Sequence, residues 1–339
     1  MSGALNRIIG QPRAVRFLRA ALAQPSHAYL FVGAPHVGKT ATALAFAQAL
    51  NCEHRSAPGG LMLLDVAPSE PDACGECLEC RSIEHANHPD VRFVEPSEGK
   101  KVFSVEDVRK LVEEVGWKAY RARHKVYVIP NELLNLQGAN TLLKTIEEPQ
   151  PGTTLILTAN SLDHVLPTLV SRCQPVPFGP VPSDQIADWL AAEKGVDPDR
   201  ARVLARISDG RIGWAAQLAE SGEVPEPVLL VAGDYAATLK EAERLAAEDG
   251  ETQQVALEAL IAQVRDIMVW LQTGRADWVA RPEQVERAAR RSVSLGYWLR
   301  VMRHLEQARK QLLGHANAKL LWTVLAGDVQ PTAREVAQA

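Results

Sequence analysis

The sequence predicts a mixed α/β fold in which a parallel-sheet domain is followed by helical domains. Two observations carry this prediction. Short β-rich runs alternate with stretches of helical period in the first part of the chain, and strand-like runs disappear after residue 178. Strand–helix alternation favours a parallel sheet that is covered by helices on both faces.

Five β-rich runs are the candidate strands. They are Ala28–Val32, Val91–Val94, Lys125–Ile129, Thr154–Thr158 and Pro175–Phe178. Helices are predicted near Pro12–Ala23, Thr40–Leu50, Val105–Val115 and Ala139–Ile146. Because helical stretches lie between successive strands, the strands have the crossover connections that parallel pairing needs.

After residue 178 the sequence indicates helices alone. Predicted helices are Ser183–Lys194, Arg200–Ile207, Trp214–Ala219, Tyr235–Ala247, Gln253–Thr273, Pro282–Arg291, Ser294–Leu313 and Ala318–Ala326. Ser183 is a candidate N-cap, and Gly274, Gly314 and Gly327 are candidate helix ends. Two prolines and two glutamates between Gly222 and Pro227 mark a boundary. We therefore expect a sheet domain at 1–178, a helical lid at 179–222 and a helical domain at 226–339.

The last helical domain has the composition of a helix-bundle core. It carries four tryptophans and apolar residues at helical spacing, namely Trp270, Trp278, Trp298, Trp322, Val264, Ile267, Met268 and Leu271. Most of these side chains are expected in the core, whether or not the domain also contacts other chains.

Composition and charge exclude several classes of protein. Of 339 residues, 46% are apolar and the net charge is −4, so neither a disordered chain nor a protein that coats nucleic acid by bulk charge is expected. The first residues have no apolar signal region, and no run is long enough to span a membrane. A cytoplasmic location is the expectation.

The run Gly33-Ala34-Pro35-His36-Val37-Gly38-Lys39-Thr40 fits the phosphate-loop pattern G-x-x-x-x-G-K-[ST]. It follows a predicted strand and opens a predicted helix, which is the context that this motif requires. Gly33 and Gly38 would let backbone N–H groups surround the phosphates, Lys39 would reach the β and γ phosphates, and Thr40 would hold Mg²⁺. The alternative is a strand–turn–helix that carries this pattern by chance.

The predicted strand Lys125–Ile129 lacks the acidic end that hydrolysis needs. Pro130-Asn131 stands where an Asp-Glu pair would position Mg²⁺ and the attacking water. Glu132 compensates only if the strand end is shifted by two residues, which would move the side chain by about 7 Å.

Four of the five cysteines are clustered. Cys74, Cys77 and Cys80 form a C-x-x-C-x-x-C run, and Cys52 precedes them. Four soft ligands in a reducing compartment favour a closed structural zinc site within a module at about 52–80, with an iron–sulfur cluster or free thiols as alternatives. His54, His85 and His88 are spare ligands expected at the surface, and Cys173 is expected to be a buried thiol.

The motifs together resemble one family. They comprise Ile8-Ile9-Gly10-Gln11, His27-Ala28-Tyr29-Leu30-Phe31 before the phosphate loop, the four-cysteine insertion, Asn140-Thr141-Leu142-Leu143-Lys144-Thr145-Ile146-Glu147-Glu148-Pro149 and Ser171-Arg172-Cys173. This combination is similar to the delta-prime family of bacterial clamp-loader subunits, which are AAA+ proteins. The resemblance covers residues 5 to 215, and the remaining helices only by general character.

The resemblance implies an AAA+ domain with a zinc module, a lid and a C-terminal collar that oligomerises with other subunits. It implies that Arg172 is an arginine finger that enters the ATP site of a neighbouring subunit. The lid arginine of ATPase members would fall at Gly213 or Trp214, and Arg211 is out of register. The implied partners are motor and clamp-opening subunits, with the sliding clamp and primed DNA reached through the complex.

The resulting hypothesis is a clamp-loader subunit of the DNA polymerase III holoenzyme that is chiefly structural. It would bind ATP or ADP with Mg²⁺ yet hydrolyse ATP weakly or not at all. One alternative is the catalytic motor subunit of the same loader, which the missing Asp-Glu opposes. Another is a free-standing AAA+ ATPase of DNA repair, which the cysteine module and the Ser171-Arg172-Cys173 tripeptide oppose.

Overall fold

The computed structural model describes residues 4–54, 71–100, 102–220, 235–289, 294–313 and 317–331. The chain divides into two compact units, the first formed by 1–185 with 210–213 and the second by 186–209 with 214–339. The expected boundary at 222–227, the possible helix end Gly314 and residues 55–70 of the predicted cysteine module lie outside the described residues. The three-domain division of the chain therefore stays a prediction.

A five-stranded parallel sheet organises the first unit. Its strands are β1 (Ala28–Val32), β2 (Val91–Phe93), β3 (Lys125–Pro130), β4 (Thr153–Ala159) and β5 (Gln174–Pro177). The strand order is β2-β3-β4-β1-β5, and every pair of neighbours is parallel. All five predicted strands are confirmed. The strand β5 lies at an edge of the sheet. Proline has no N–H to donate, and an edge strand tolerates it because one side of the strand has no neighbouring strand to bond.

Helices cover both faces of this sheet. They are α1 (Pro12–Ala21), α2 (Lys39–Asn51), α3 (Leu78–Glu84), α4 (Val105–Gly116), α5 (Leu136–Glu147) and α6 (Pro167–Val170). Side chains alternate along β1, so Tyr29 and Phe31 join a core with α1 and α2, whereas Leu30 joins a core with α4 and α5. The sequence analysis did not predict α3 and α6.

The second unit consists mainly of helices. The remaining helices among the described residues are α7 (Ser183–Lys194), α8 (Pro198–Ile207), α9 (Ile212–Glu220), α10 (Tyr235–Ala247), α11 (Gly250–Thr273), α12 (Pro282–Ala289), α13 (Leu295–Leu313) and α14 (Ala318–Asp328). The first residues of α7 and α9 belong to the first unit. Trp298 and Trp322 are buried in the core of the second unit, and Trp322 donates its indole N–H to Gln253 at 3.1 Å.

Several predictions about these helices need correction. Most of the named tryptophans and apolar residues of the last domain were expected in its core, but Trp278 is 54% exposed and Leu271 is also exposed. Gly327 lies inside α14 rather than at its end, and Ser183 is the first residue of α7 rather than its N-cap. Gly274 does end α11, in the left-handed conformation at φ 65° that glycine adopts without strain. No helix among the described residues has the length and apolar character needed to cross a membrane.

Candidate functional site

The loop from Gly33 to Lys39 connects the end of β1 to the start of α2, as the phosphate-loop motif requires. Two of its glycines are needed for its shape. A Cβ atom on Gly33 would lie 2.4 Å from the carbonyl oxygen of Phe178, and Gly38 has a φ of +99°. A side chain at either position would therefore distort the loop.

Lys39 is buried at the centre of this loop. Its ammonium donates to the carbonyl oxygens of Gly33 at 2.5 Å and Ala34 at 2.9 Å, and to Asn160 Oδ1 at 3.2 Å. Burial lowers the pKa of Lys39, and the carboxyl of Glu132 opposes that shift. The ammonium is thus held by two loop carbonyls and by the side chain of Asn160.

Two neighbouring segments hold the phosphate loop from outside. The buried side chain of Gln11 donates to the carbonyl oxygens of Val37 at 3.2 Å and Gly179 at 2.7 Å. The backbone N–H of Gly213, at the start of α9, donates to the carbonyl oxygen of His36 at 2.8 Å. These bonds join the Ile8–Gln11 motif and the 210–213 segment to the loop, so the loop is positioned before any ligand binds.

Asn160 is a site residue that the sequence analysis missed. It follows β4, which pairs with β1, and this strand order brings its side-chain oxygen to Lys39. A polar residue at the carboxyl end of a predicted strand was the signal that could have identified it.

The acidic position at the end of β3 is absent, as the sequence indicated. The strand ends at Pro130, which pairs with Thr158, so the strand end is not shifted. Asn131 is buried and donates to the carbonyl oxygen of His164 at 3.2 Å. Glu132 lies in the following 3₁₀ turn, where desolvation raises the pKa of its carboxyl while Lys39 and His164 lower it. Glu132 is therefore the carboxylate that interacts with Lys39, but it lies beyond the strand.

The four clustered cysteines converge around one point. Cys52 follows α2, and Cys74 lies three residues before Cys77, which is the N-cap of α3. Cys80 lies within α3. Their sulfur atoms all lie within 4.8 Å of one another. Four thiolates around one zinc ion, with Zn–S bonds of 2.3 Å, would lie about 3.8 Å apart, so the four sulfurs fit a tetrahedral ion after a small contraction.

Backbone N–H groups point at these sulfurs. Cys74 Sγ accepts from the N–H groups of Glu76 at 3.4 Å and Cys77 at 3.3 Å, and Cys52 Sγ accepts from Cys74 at 3.2 Å. Burial acts to raise the pKa of Cys74, but these donors lower it to about 7. Burial raises the pKa of the Cys52 and Cys80 thiols. The donor set and its surroundings fit a structural metal ion.

His88 contradicts its predicted surface position. It is buried, and its Nε2 pairs with the carboxylate of Glu79, between Cys77 and Cys80. The N–H of Asp90 donates to His88 Nδ1 at 3.0 Å, so Nε2 carries the proton that Glu79 accepts. His88 thus supports the cysteine module from outside. His54 and His85 are exposed, as predicted.

Arg172 lies at the surface, between α6 and β5. Its Nε is 2.5 Å from Glu147 Oε1, and its Nη1 donates to the carbonyl oxygen of Thr168 at 2.9 Å and to Ser171 Oγ at 3.2 Å. The adjacent Cys173 is buried, as predicted, and burial raises its pKa to about 11.

Comparison with known proteins supports one family. Residues 10–182, just over half of the chain, match the family model described as DNA polymerase III, delta subunit. DNA polymerase III subunit delta' of Bacillus subtilis is 33% identical over 219 residues, which are 64% of this chain and 61% of that protein. The Pseudomonas aeruginosa subunit delta' is 34% identical over 214 residues, which are 62% of this chain and 61% of that protein.

A further curated protein and a solved structure are also similar to this chain. DNA polymerase III subunit tau of Bacillus subtilis is 31% identical over 67% of this chain and 40% of its own. A DNA polymerase III gamma subunit-related protein of Thermotoga maritima gives a TM-score of 0.47 at 14% identity, over 92% of this chain and 97% of its own. On the family model and the subunit delta' relatives, the chain belongs to the DNA polymerase III delta-prime subunit family.

Proposed function

We propose that the chain is a clamp-loader subunit of the AAA+ class that acts mainly as a stator. The observation that carries this proposal is a complete phosphate loop next to a strand end without a carboxylate. Lys39 is in place for phosphate binding, whereas Pro130 and Asn131 occupy the position of the hydrolytic acid. A site of this composition favours nucleotide binding over nucleotide turnover.

In this role, ATP or ADP with Mg²⁺ binds at the loop formed by Gly33, Gly38, Lys39 and Thr40. Lys39 gives up its bonds to the carbonyl oxygens of Gly33 and Ala34 and contacts the phosphates. Thr40 is the second residue of α2 and is exposed, so its hydroxyl is available to Mg²⁺. The N-terminus of α2 adds backbone N–H groups and a favourable dipole for the phosphates.

Arg172 is proposed to act in trans as an arginine finger for the nucleotide of a neighbouring motor subunit. Its surface position and its place outside the chain's own phosphate loop support that role. A guanidinium is suited to it because its planar, permanent charge matches phosphate oxygens. The other partners are a clamp-opening subunit and, through the assembled complex, the sliding clamp and primed DNA.

Zn²⁺ is proposed as a structural ion at Cys52, Cys74, Cys77 and Cys80. When bound, it supplies a fourfold cross-link to a module whose described residues before α3, 52–54 and 71–77, contain no helix or strand. The buried pair Glu79–His88 then orients α3 against the strand that follows it. The C-terminal helices are proposed as the collar through which the subunit joins the complex.

Glu132 favours a second candidate, the motor subunit of the same loader. Its carboxyl interacts electrostatically with Lys39, so Glu132 is a candidate for the acid that supports ATP hydrolysis at the phosphate loop. ATP turnover by the isolated chain separates the two candidates. The stator predicts nucleotide binding with negligible hydrolysis, and the Glu132→Gln variant then behaves like the unmodified chain. Hydrolysis that Glu132→Gln abolishes would instead support the motor subunit.

A further inference from the structure

A rigid loop beside the cysteine module displays two aromatic rings to solvent. This aromatic loop, residues 117–124, connects α4 to β3. Trp117 is 64% exposed and Tyr120 is 84% exposed. Both values are high, because large aromatic side chains are on average mostly buried. They are three residues apart, and the residues from Gly116 to Arg121 are all exposed.

The backbone of the aromatic loop is fixed at both ends and in the middle. The buried ammonium of Lys125 donates to the carbonyl oxygens of Glu114 at 2.6 Å and Trp117 at 2.8 Å, which closes the end of α4. Asp90 accepts the backbone N–H groups of Tyr120, Arg121 and Ala122 at 2.8, 2.8 and 2.9 Å. The two rings therefore project from a loop whose backbone is already ordered, so ligand binding would cost little conformational entropy.

The charge of the loop is positive. Lys118, Arg121, Arg123 and Lys125 lie in it or directly after it, and the segment from Trp117 to Lys125 contains no acidic residue. Arg121 is neutralised by Glu79, with its Nε 3.5 Å from Oε1, and Lys125 is buried. Lys118 has no ion pair within the described ranges, and Arg123 Nη1 donates to the carbonyl oxygen of Cys52 at 3.5 Å. Two acidic residues of α4 lie near the loop. Glu114 is paired with Arg92, and Glu113 is exposed.

We infer that the aromatic loop binds single-stranded nucleic acid. Exposed rings interleaved with cations match a polyanion whose bases offer free π-faces. A duplex hides those faces in its base stack, so a single strand is the better match. This contact would be made by the chain itself and lies outside the phosphate loop, so it adds to the proposed stator role.

Binding of a fluorescein-labelled oligothymidylate of about 12 nucleotides to the full chain tests this inference by anisotropy at low salt. Trp117→Ala and Tyr120→Ala should each weaken binding by about fivefold or more, because each removes one stacking platform. Lys118→Ala should reduce the slope of log affinity against log salt by about 0.7. The matched controls are Trp278→Ala and Tyr235→Ala, whose side chains are 54% and 51% exposed in the second unit and should have no effect.

The same titrations with a duplex of equal length identify the mode of binding. Duplex affinity should be lower and unaffected by either ring variant. Oligothymidylate should also quench tryptophan emission, and Trp117→Phe should remove that quenching. The inference is overturned if the chain does not bind the oligonucleotide, if the ring variants bind it as tightly as the unmodified chain, or if they weaken duplex binding equally. Because the assay uses no other subunit and no nucleotide, its failure leaves the stator proposal standing.

Discussion

Arg172 and Glu147 form an ion pair that joins two of the motifs by which the family was identified. The Nε atom of Arg172 lies 2.5 Å from Glu147 Oε1, and both side chains keep substantial exposure. Glu147 is at the end of α5 and Arg172 follows α6, so residues 25 apart in sequence meet at one surface. The guanidinium is thus held in place by contacts within this chain.

Loss of this ion pair should have little effect on folding. Exposed pairs contribute about 0–1 kcal/mol, so Glu147→Gln should change the free energy of unfolding by less than about 1 kcal/mol. Urea denaturation of the full chain measures this change. The surface pair Arg202–Asp199 offers a matched control in Asp199→Asn. A loss of several kcal/mol from Glu147→Gln would mean that the pair is structural rather than a holder of Arg172.

Nucleotide binding should depend on Lys39 and Asn160. We expect the chain to bind ADP, Lys39→Ala to abolish binding, and Asn160→Ala to weaken it, because both groups lie at the phosphate loop. Isothermal titration calorimetry is the measurement, with the exposed Lys110→Ala as control. Binding by Lys39→Ala at the unmodified affinity would show that the loop is not the nucleotide site.

Metal content should follow the cysteine cluster. Elemental analysis of purified chain should find about one zinc per chain. Cys77→Ser removes one of four ligands and should lower that content, whereas Cys173→Ser removes a buried thiol outside the cluster and should not. Stoichiometric iron, or the absence of both metals, would contradict the assignment.

Acidification should loosen the aromatic loop through Asp90. Burial acts to raise the pKa of this carboxyl, but three backbone N–H donors, together with His88, lower it below its ordinary value of 3.8. A folded-state pKa below the unfolded value means that the stabilisation is complete above about pH 4 and is lost as the pH falls through the lower, folded value. Trp117 emission should report this change.

Asp90→Asn provides the comparison for the acid transition. An amide oxygen accepts these bonds less strongly than a carboxylate does, so we expect the variant to lose about 1–3 kcal/mol at neutral pH. Its Trp117 emission should lack the acid transition. The same transition in Asp90→Asn and the unmodified chain would assign it to another group.

Local patterns in the sequence were sufficient for the sheet and for much of its site. Short β-rich runs and the helical stretches between them predicted all five strands, and the phosphate-loop spacing placed Lys39 at the start of α2. The cysteine spacing predicted the four residues whose sulfur atoms converge. Zinc itself, the roles of the site residues and the three-domain division stay predictions.

Specific side-chain contacts explain what the sequence analysis missed. His88 is buried because Glu79 and Asp90 satisfy both of its nitrogens, and no periodicity of the chain signals that pairing. Asn160 reaches Lys39 only because the strand order places β4 beside β1. Trp278 looked like core by composition, but it lies in a short turn where Arg275 covers its ring at 4.4 Å.

The central claim is that this chain contributes an arginine to a neighbour's site rather than hydrolysing ATP itself. DNA-stimulated ATP hydrolysis by a loader reconstituted with Arg172→Ala, compared with the unmodified chain, tests it most directly. The account predicts unchanged folding and nucleotide binding of the variant chain, but a loss of about 10³-fold at one site of the loader. The total rate should then fall only in part, and Arg172→Lys should not restore it fully because an ammonium lacks the planar fork. ATP hydrolysis and clamp loading at the unmodified rate would contradict the account.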